Sequence, residues 1–358
     1  MKKTFFTAII LVFLTFFISA QERIETSNAL LESLVKDESV VGASASYSVN
    51  GKVTWEAATG YADKDKKGEF TLNTEVRIAS IVKSMTAIAV MQLVEQDLLD
   101  IDLPIDTYIP EFVQKGNTKI TTKHILSHTS GISAYKNKKE GENTVIYMSL
   151  LDVYDVFKDR KLRFEPGTAY YYTSYGYVVL GILIEKVSGL TYEAYMQKHI
   201  WDKAEMTHTG VEKPGIKREN ATTLYQRDRK GKIKEAKTNN LTNRVPAGGL
   251  YSTANDIIKF GNAIINHTLI NEETYELMVQ HHSLEKVNNG YGFGFFLYGG
   301  KENESNIIGH SGSQSGSSTQ FFVIPSLKTV IVVMANTSGA SREVSTVAGK
   351  LIDISQRK

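Results

Sequence analysis

The chain has 358 residues, of which 42% are apolar and 22% charged, with 41 Lys+Arg against 39 Asp+Glu. This is a globular composition with ample material for a core, and its near-neutral balance argues against nucleic-acid or anionic-membrane partners. The absence of cysteine excludes disulfides, a thiol nucleophile, a zinc–thiolate site and a lipidated cysteine.

Lys2 and Lys3 precede an uncharged, largely apolar run from Phe5 to Ile18 that closes on Ser19-Ala20. A basic start, a short apolar run and small residues at its end form the pattern of a secretory signal, so residues 1–20 read as a signal peptide. The run is short of the roughly 20 apolar residues of a membrane span, and no stable membrane anchor is expected. Its removal leaves 39 basic and 39 acidic residues. The expectation is an exported protein, periplasmic or secreted.

A helix is expected over 27–36. Residues 40–49 and 52–61 alternate around Asn50-Gly51, a two-residue hairpin signal. A helix carrying Ser80 follows and should end near Leu98-Leu99. Residues 101–239 read as loops and helices, the latter over 122–127, 150–157, 177–187 and 192–201, with turns at Ser188-Gly189 and Pro214-Gly215. Thr253, with Asp256 three residues on, marks the start of a helix reaching Ile264. Strands are expected over 292–298, 305–309, 318–324 and 329–335, the last two joined through Pro325-Ser326-Leu327-Lys328, before a final helix over 342–354.

Strands at both ends thus flank a helical middle, with no βαβ alternation and no internal repeat. The fold class is α+β: one antiparallel sheet built from both chain ends, flanked by helices, with a mostly helical insertion closing a cleft. One domain is expected over 21–358. Its α/β part covers about 21–100 and 240–358, and its helical part about 101–239.

Three segments carry candidate chemistry. The first is Ser80-Ile81-Val82-Lys83. Ten of the positions from 81 to 94 are apolar, so a helix there is buried on most sides. A buried lysine is costly unless it is paired or sheds its charge. Positions i and i+3 share a helix face, which lets the Lys83 amine meet the Ser80 hydroxyl. A desolvated amine beside a hydroxyl is one way to activate a nucleophile.

The second segment runs from Glu165-Pro166-Gly167 into five tyrosines, Tyr170, Tyr171, Tyr172, Tyr175 and Tyr177. The third is Gly309-His310-Ser311-Gly312-Ser313, read as the end of one strand before another. Its glycines would let a substrate backbone approach closely.

In this order and spacing, the three segments resemble the serine β-lactamase and penicillin-binding-protein superfamily, whose signature is Ser-x-x-Lys, a Tyr-x-Asn or Ser-x-Asn element, and Lys-Thr-Gly or His-x-Gly. The resemblance is strongest to the group of class C-type β-lactamases, D-alanyl carboxypeptidases, family VIII esterases and LACTB-like hydrolases. It extends over most of residues 40–340 and includes Leu126-Ser127-His128-Thr129-Ser130-Gly131 and Pro246-Ala247-Gly248-Gly249-Leu250.

The resemblance implies that Ser80 is the acylated nucleophile and that Lys83 helps take its proton. Tyr172 would be a further acid/base group, its phenol pKa lowered by the neighbouring cation. His310 would stand in the place of the third motif's lysine, lining the cleft opposite Tyr172. The backbone N–H groups of Ser80 and Ser313, the latter just after Gly312, would form the oxyanion hole. Whether Lys83 or Tyr172 is the base stays open. The chain departs from the pattern at Ser174, where Tyr-x-Asn has an amide. A serine hydroxyl is shorter and puts the contact to an acylamide substrate in doubt.

The resulting expectation is a serine hydrolase acting through a Ser80 acyl-enzyme on an ester, amide or D-alanyl-type peptide bond, with a small-molecule or peptide substrate and no cofactor. The alternatives are a penicillin- or wall-peptide-binding protein without turnover, a β-lactamase proper, and a LACTB-like peptidase that assembles into filaments. Other histidines read as structural. His208-Thr209-Gly210 lies in the helical middle, His281-His282 on the surface, and His124/His128 lack the acidic neighbour and third ligand of a metal site. Gly309-His310-Ser311-Gly312-Ser313 falls one glycine short of a nucleophile elbow, which disfavours an α/β-hydrolase.

Overall fold

The computed structural model of the protein describes residues 21–112, 119–283, 290–298 and 307–357; the segment read as a signal peptide lies outside them. A helix over 21–36 (α1) leads into the hairpin of β1 (Gly42–Val49) and β2 (Lys52–Asp63). Asn50 and Gly51 both take left-handed angles, φ 52° and 74°, as a two-residue hairpin turn requires, and Val49 pairs with Lys52. Short strands β3 (Gly68–Glu69) and β4 (Val76–Arg77) follow, then a 3-10 turn over Ala79–Ile81 and α2 (Val82–Glu95).

The middle of the chain supplies α3 (Thr122–Leu126), α4 (Leu150–Asp155), α5 (Ser174–Ser188) and α6 (Tyr192–Met196). It also contains small strands, Tyr225–Arg227 and Ile233–Glu235 among them. Then come α7 (Val245–Gly248), β5 (Leu250–Ser252) and α8 (Ala254–Ile265), the last capped by Thr253, whose hydroxyl accepts from the Asp256 N–H. The final stretch holds β6 (Phe296–Tyr298), β7 (Ile307–Gln314), β8 (Ser317–Ile324), β9 (Thr329–Ala335) and α9 (Ser341–Ser355).

These strands form one sheet in the order β3-β2-β1-β9-β8-β7-β6, antiparallel throughout, so the two chain ends meet at the β1–β9 pair. The fold is the expected α+β arrangement. Alternation along β9 divides the core. Ile331, Val333 and Ala335 face α1 and α9 with Leu34, Val347 and Leu351, whereas Val330, Val332 and Met334 face the cluster of α2, α5 and α8. Because both faces are covered, β9 reads as a continuous apolar run. Burying each such side chain contributes about 1.5–3 kcal/mol.

Of the boundaries that differ from the sequence reading, three bear on the site. Helix α2 stops at Glu95, because Asp97 turns left-handed (φ 56°). Of the strand expected over 292–298 only the last three residues pair. Gly294 (φ 79°) instead lies against α2, where an added Cβ would fall 2.4 Å from that of Ala87. The strand expected over 305–309 continues to Gln314, so the His310 motif is mid-strand; residues 305 and 306 lie outside the described residues. No helix among the described residues is long and apolar enough to cross a membrane.

Candidate active site

Ser80 sits, half-buried, in the 3-10 turn between β4 and α2. The preceding Ala79 has φ 49°, a left-handed conformation unusual for a residue with a Cβ, and it is held there by its surroundings. Ile78 N–H donates to Leu250 O at 3.1 Å, and Thr319 Oγ1 donates to Ile78 O at 3.2 Å. Arg77 anchors the other side through Glu212, Asn239 (2.8 Å) and the Ser315 carbonyl (2.9 Å). Gly312 of β7 presses on the same turn. A Cβ there would lie 2.2 Å from Thr319 Oγ1 and 2.5 Å from Ile78 O. Its lack of a side chain therefore lets β7 pack against the serine turn.

The Lys83 amine lies 3.1 Å from Ser80 Oγ and 2.7 Å from the Ala247 carbonyl, to which it donates. It also stands over the rings of Tyr172 (4.8 Å) and Tyr177 (5.7 Å). Burial, helped by the charge of Arg244, pushes its pKa well below the ordinary 10.5. A neutral amine keeps a lone pair that can accept the serine proton.

Burial raises the Tyr172 phenol well above the usual pKa of 10.0, outweighing the lowering effect of the nearby Ser80 hydroxyl. This reverses the expectation of a lowered value. Because Lys83 is itself held towards neutrality, desolvation outweighs the cation. His128, set aside as structural in the sequence, lies beneath Tyr172. Its ring centroid is 4.3 Å from that of Tyr172, its carbonyl accepts from Tyr171 N–H at 2.8 Å, and its Nδ1 accepts from Thr173 N–H at 3.3 Å. It thus grips the backbone on both sides of Tyr172, from a left-handed conformation (φ 59°). His124 makes the helix cap instead, its Nδ1 accepting from Thr121 N–H.

Ser174 opens α5 after the Thr173 cap, on the side of Tyr135, whose buried hydroxyl has no hydrogen-bond partner among the described residues. On the opposite wall His310 is only 1% exposed, 6.1 Å from the Tyr172 ring and 4.8 Å from Phe296 between ring centroids. Its Nδ1 contacts the Ser311 carbonyl at 2.7 Å and its Nε2 the Tyr291 hydroxyl at 3.2 Å. Burial pushes its pKa down to about 3, so it is a neutral group under the wall rather than a cation in the cleft.

Ser311 and Ser313 point outward from β7. Strand β6 pairs with Ile307–Gly309, and among the described residues no strand pairs with that edge of β7 beyond Gly309. Ser313 pairs with Ser318 of β8 on the other edge. The structure therefore brings Ser80, Lys83, Tyr172, His310 and Gly312 around one turn. Sequence reasoning missed His128, Tyr291, the Ala247 carbonyl and Arg244. No group of three or more His, Asp or Glu suited to a metal ion occurs among the described residues.

The Beta-lactamase family model matches residues 28–353. The chain belongs to the β-lactamase family. It is 27% identical over 315 residues to the mitochondrial serine β-lactamase-like protein LACTB of Homo sapiens, a match covering 68% of this chain and 56% of that protein. It is 31% identical over 266 residues to PbpX of Bacillus subtilis (strain 168), covering 72% of this chain and 63% of PbpX. The chain thus spans less than two thirds of either relative. The octameric penicillin-binding protein homologue from Pyrococcus abyssi superposes with a TM-score of 0.81 at 25% identity, covering 93% of this chain and 79% of that one. This β-lactamase-family chain shares its large antiparallel sheet and helical layers with that structure.

Proposed function

We propose that this protein is a serine hydrolase working through an acyl-enzyme on Ser80, cleaving an ester, amide or D-alanyl-type peptide bond. The observation that carries the reading is the Lys83 amine, buried, short of charge and 3.1 Å from Ser80 Oγ. In this mechanism Ser80 Oγ attacks the substrate carbonyl as its proton passes to the Lys83 lone pair. The N–H groups of Ser80 and Ser313 receive the oxyanion. Tyr172, kept protonated by burial beside Ser80, relays a proton to the leaving group, and water then releases the acyl group.

Labelling with a fluorophosphonate or penicillin probe tests the nucleophile: wild type is labelled and Ser80→Ala is not. Equal labelling of both would remove Ser80 from the reaction. Acylation without turnover on p-nitrophenyl esters, D-alanyl peptides or a chromogenic cephalosporin would instead favour a binding protein, the reading that Ser174 in place of the amide motivates. Residues 1–20 support export of the protein. N-terminal sequencing of the exported form is expected to begin at Gln21.

A further inference from the structure

The short helix α7 ends buried against the site, and a helix leaves its last carbonyls without internal partners. Successive carbonyls of α7 find side chains instead. Thr86 Oγ1 donates to Pro246 O at 2.7 Å, the Lys83 amine to Ala247 O at 2.7 Å and Gln314 Nε2 to Gly248 O at 3.0 Å. Donors and acceptors are all buried residues.

Thr86 stands one turn after Lys83 on the same face of α2. Its single hydroxyl hydrogen goes to Pro246, so the 2.7 Å bond between Thr86 and the Tyr192 hydroxyl is donated by the tyrosine. Burial holds that phenol above its usual pKa, so it keeps the proton it donates. Gln314 follows Ser313 at the end of β7. Helix α7 is thus tied at once to the helix that carries the lysine and to the strand that carries Ser313.

The need of buried carbonyls for partners explains why each bond exists. Their register does something more. The amine takes the middle carbonyl, and a bond on either side stops α7 from turning or sliding away from it. Packing closes the same space: a Cβ on Gly181 of α5 would lie 2.3 Å from Pro246 Cγ, and one on Gly248 3.5 Å from the Ala79 carbonyl carbon. A neutral amine has two N–H groups and one lone pair. With an N–H held by Ala247 O, its rotation is restricted, and the lone pair can stay on Ser80 Oγ, 3.1 Å away.

We propose that Thr86 and Gln314 are positioning residues for Lys83: they fix the Ala247 carbonyl so that the amine presents its lone pair to Ser80. The proposal rests on the Ser80 acyl-enzyme reading and adds to it the residues that aim the base.

The test measures the second-order rate at which a fluorophosphonate labels the full chain. Thr86→Val and Gln314→Met keep the side-chain shape and delete the donor. Each is expected to slow labelling by about 10- to 100-fold, the scale of a small misplacement of a catalytic group. Thr86→Ser, which keeps the hydroxyl, should restore most of the rate. Thermal melting checks folding, and the two positions are independent, so either one can decide. Each substitution is then placed in Lys83→Met. With the amine gone, it should change the residual rate by less than about twofold, because its effect passes through Lys83. An equal loss with and without the amine, or no loss in the wild-type background, overturns the proposal and leaves the Ser80 reading standing. If folded wild type takes no probe, the hydrolase reading fails instead. Carbon NMR of isotope-labelled lysine then reads the amine itself: in Thr86→Val the Lys83 titration should move up towards 10.5 as the loosened turn admits water, and an unchanged titration would reject the proposal.

Discussion

The two walls of the site are built by opposite means. The helical wall holds the groups that can move protons, and burial works against the charged form of each: Lys83 and His128 are pushed down, Tyr172 and Tyr177 up. The strand wall offers main chain. Ser311 and Ser313 point outward along an edge that no strand pairs beyond Gly309 among the described residues, with a neutral imidazole beneath. On the proposed reading, reactivity falls where water is scarce and proton affinities shift most, and substrate alignment along the main chain of a strand.

Removing the proton relay should break the helical wall most severely. Tyr172→Phe is expected to lower kcat by about 10²- to 10⁴-fold with little change in KM, the usual size for loss of a general acid/base group. Steady-state kinetics on a p-nitrophenyl ester measures it, and a loss confined to KM would show that Tyr172 only binds. A smaller effect should come from the residue that holds Tyr172. His128→Leu deletes the acceptor for Thr173 N–H and should reduce kcat by about 10²-fold, the scale of a misplaced catalytic group. Asn tolerates the left-handed backbone and offers an oxygen near the Nδ1 position, so His128→Asn should restore much of the rate. Equal damage by Leu and Asn would mean that His128 contributes packing alone.

The smallest effect is on stability, and its sign follows from the direction of the shift. Between the lowered folded pKa of Lys83 and the unfolded value near 10.5, the unfolded chain binds a proton that the folded one does not. The wild type is therefore penalised at neutral pH and relieved as pH approaches 10.5. Lys83→Met should raise Tm by a few degrees at pH 7, with the gap to wild type closing towards pH 10. A gap that widens with pH would mean the amine is charged in the fold.

Much of this was legible in the sequence where local rules decide. Asn50-Gly51 specified its turn, Thr253 its cap, and the β-rich run of residues 329–335 its strand. The order of Ser80-x-x-Lys83, Tyr172 and His310 pointed to one site because each motif constrains the others. Legibility failed where tertiary contacts decide. The segment Gly309–Ser313 read as the end of a strand, yet it continues β7, and Gly309 and Gly312 stand where a side chain would meet the Phe321 carbonyl or the Ser80 turn respectively. Tyr172 read as cation-tuned because its burial is not written locally. His128 and Arg244 acquire meaning only from residues dozens of positions away.

The central claim is that Ser80 is activated by an amine already neutral in the fold, faced by Tyr172, Tyr177, His128, His310 and Arg244. It is tested most directly by the pH dependence of the second-order rate of Ser80 acylation with a fluorophosphonate. The account predicts a rate that levels off well below pH 10.5, with the plateau abolished in Lys83→Met. A rate that keeps climbing to pH 10.5, as an ordinary lysine would dictate, would contradict it.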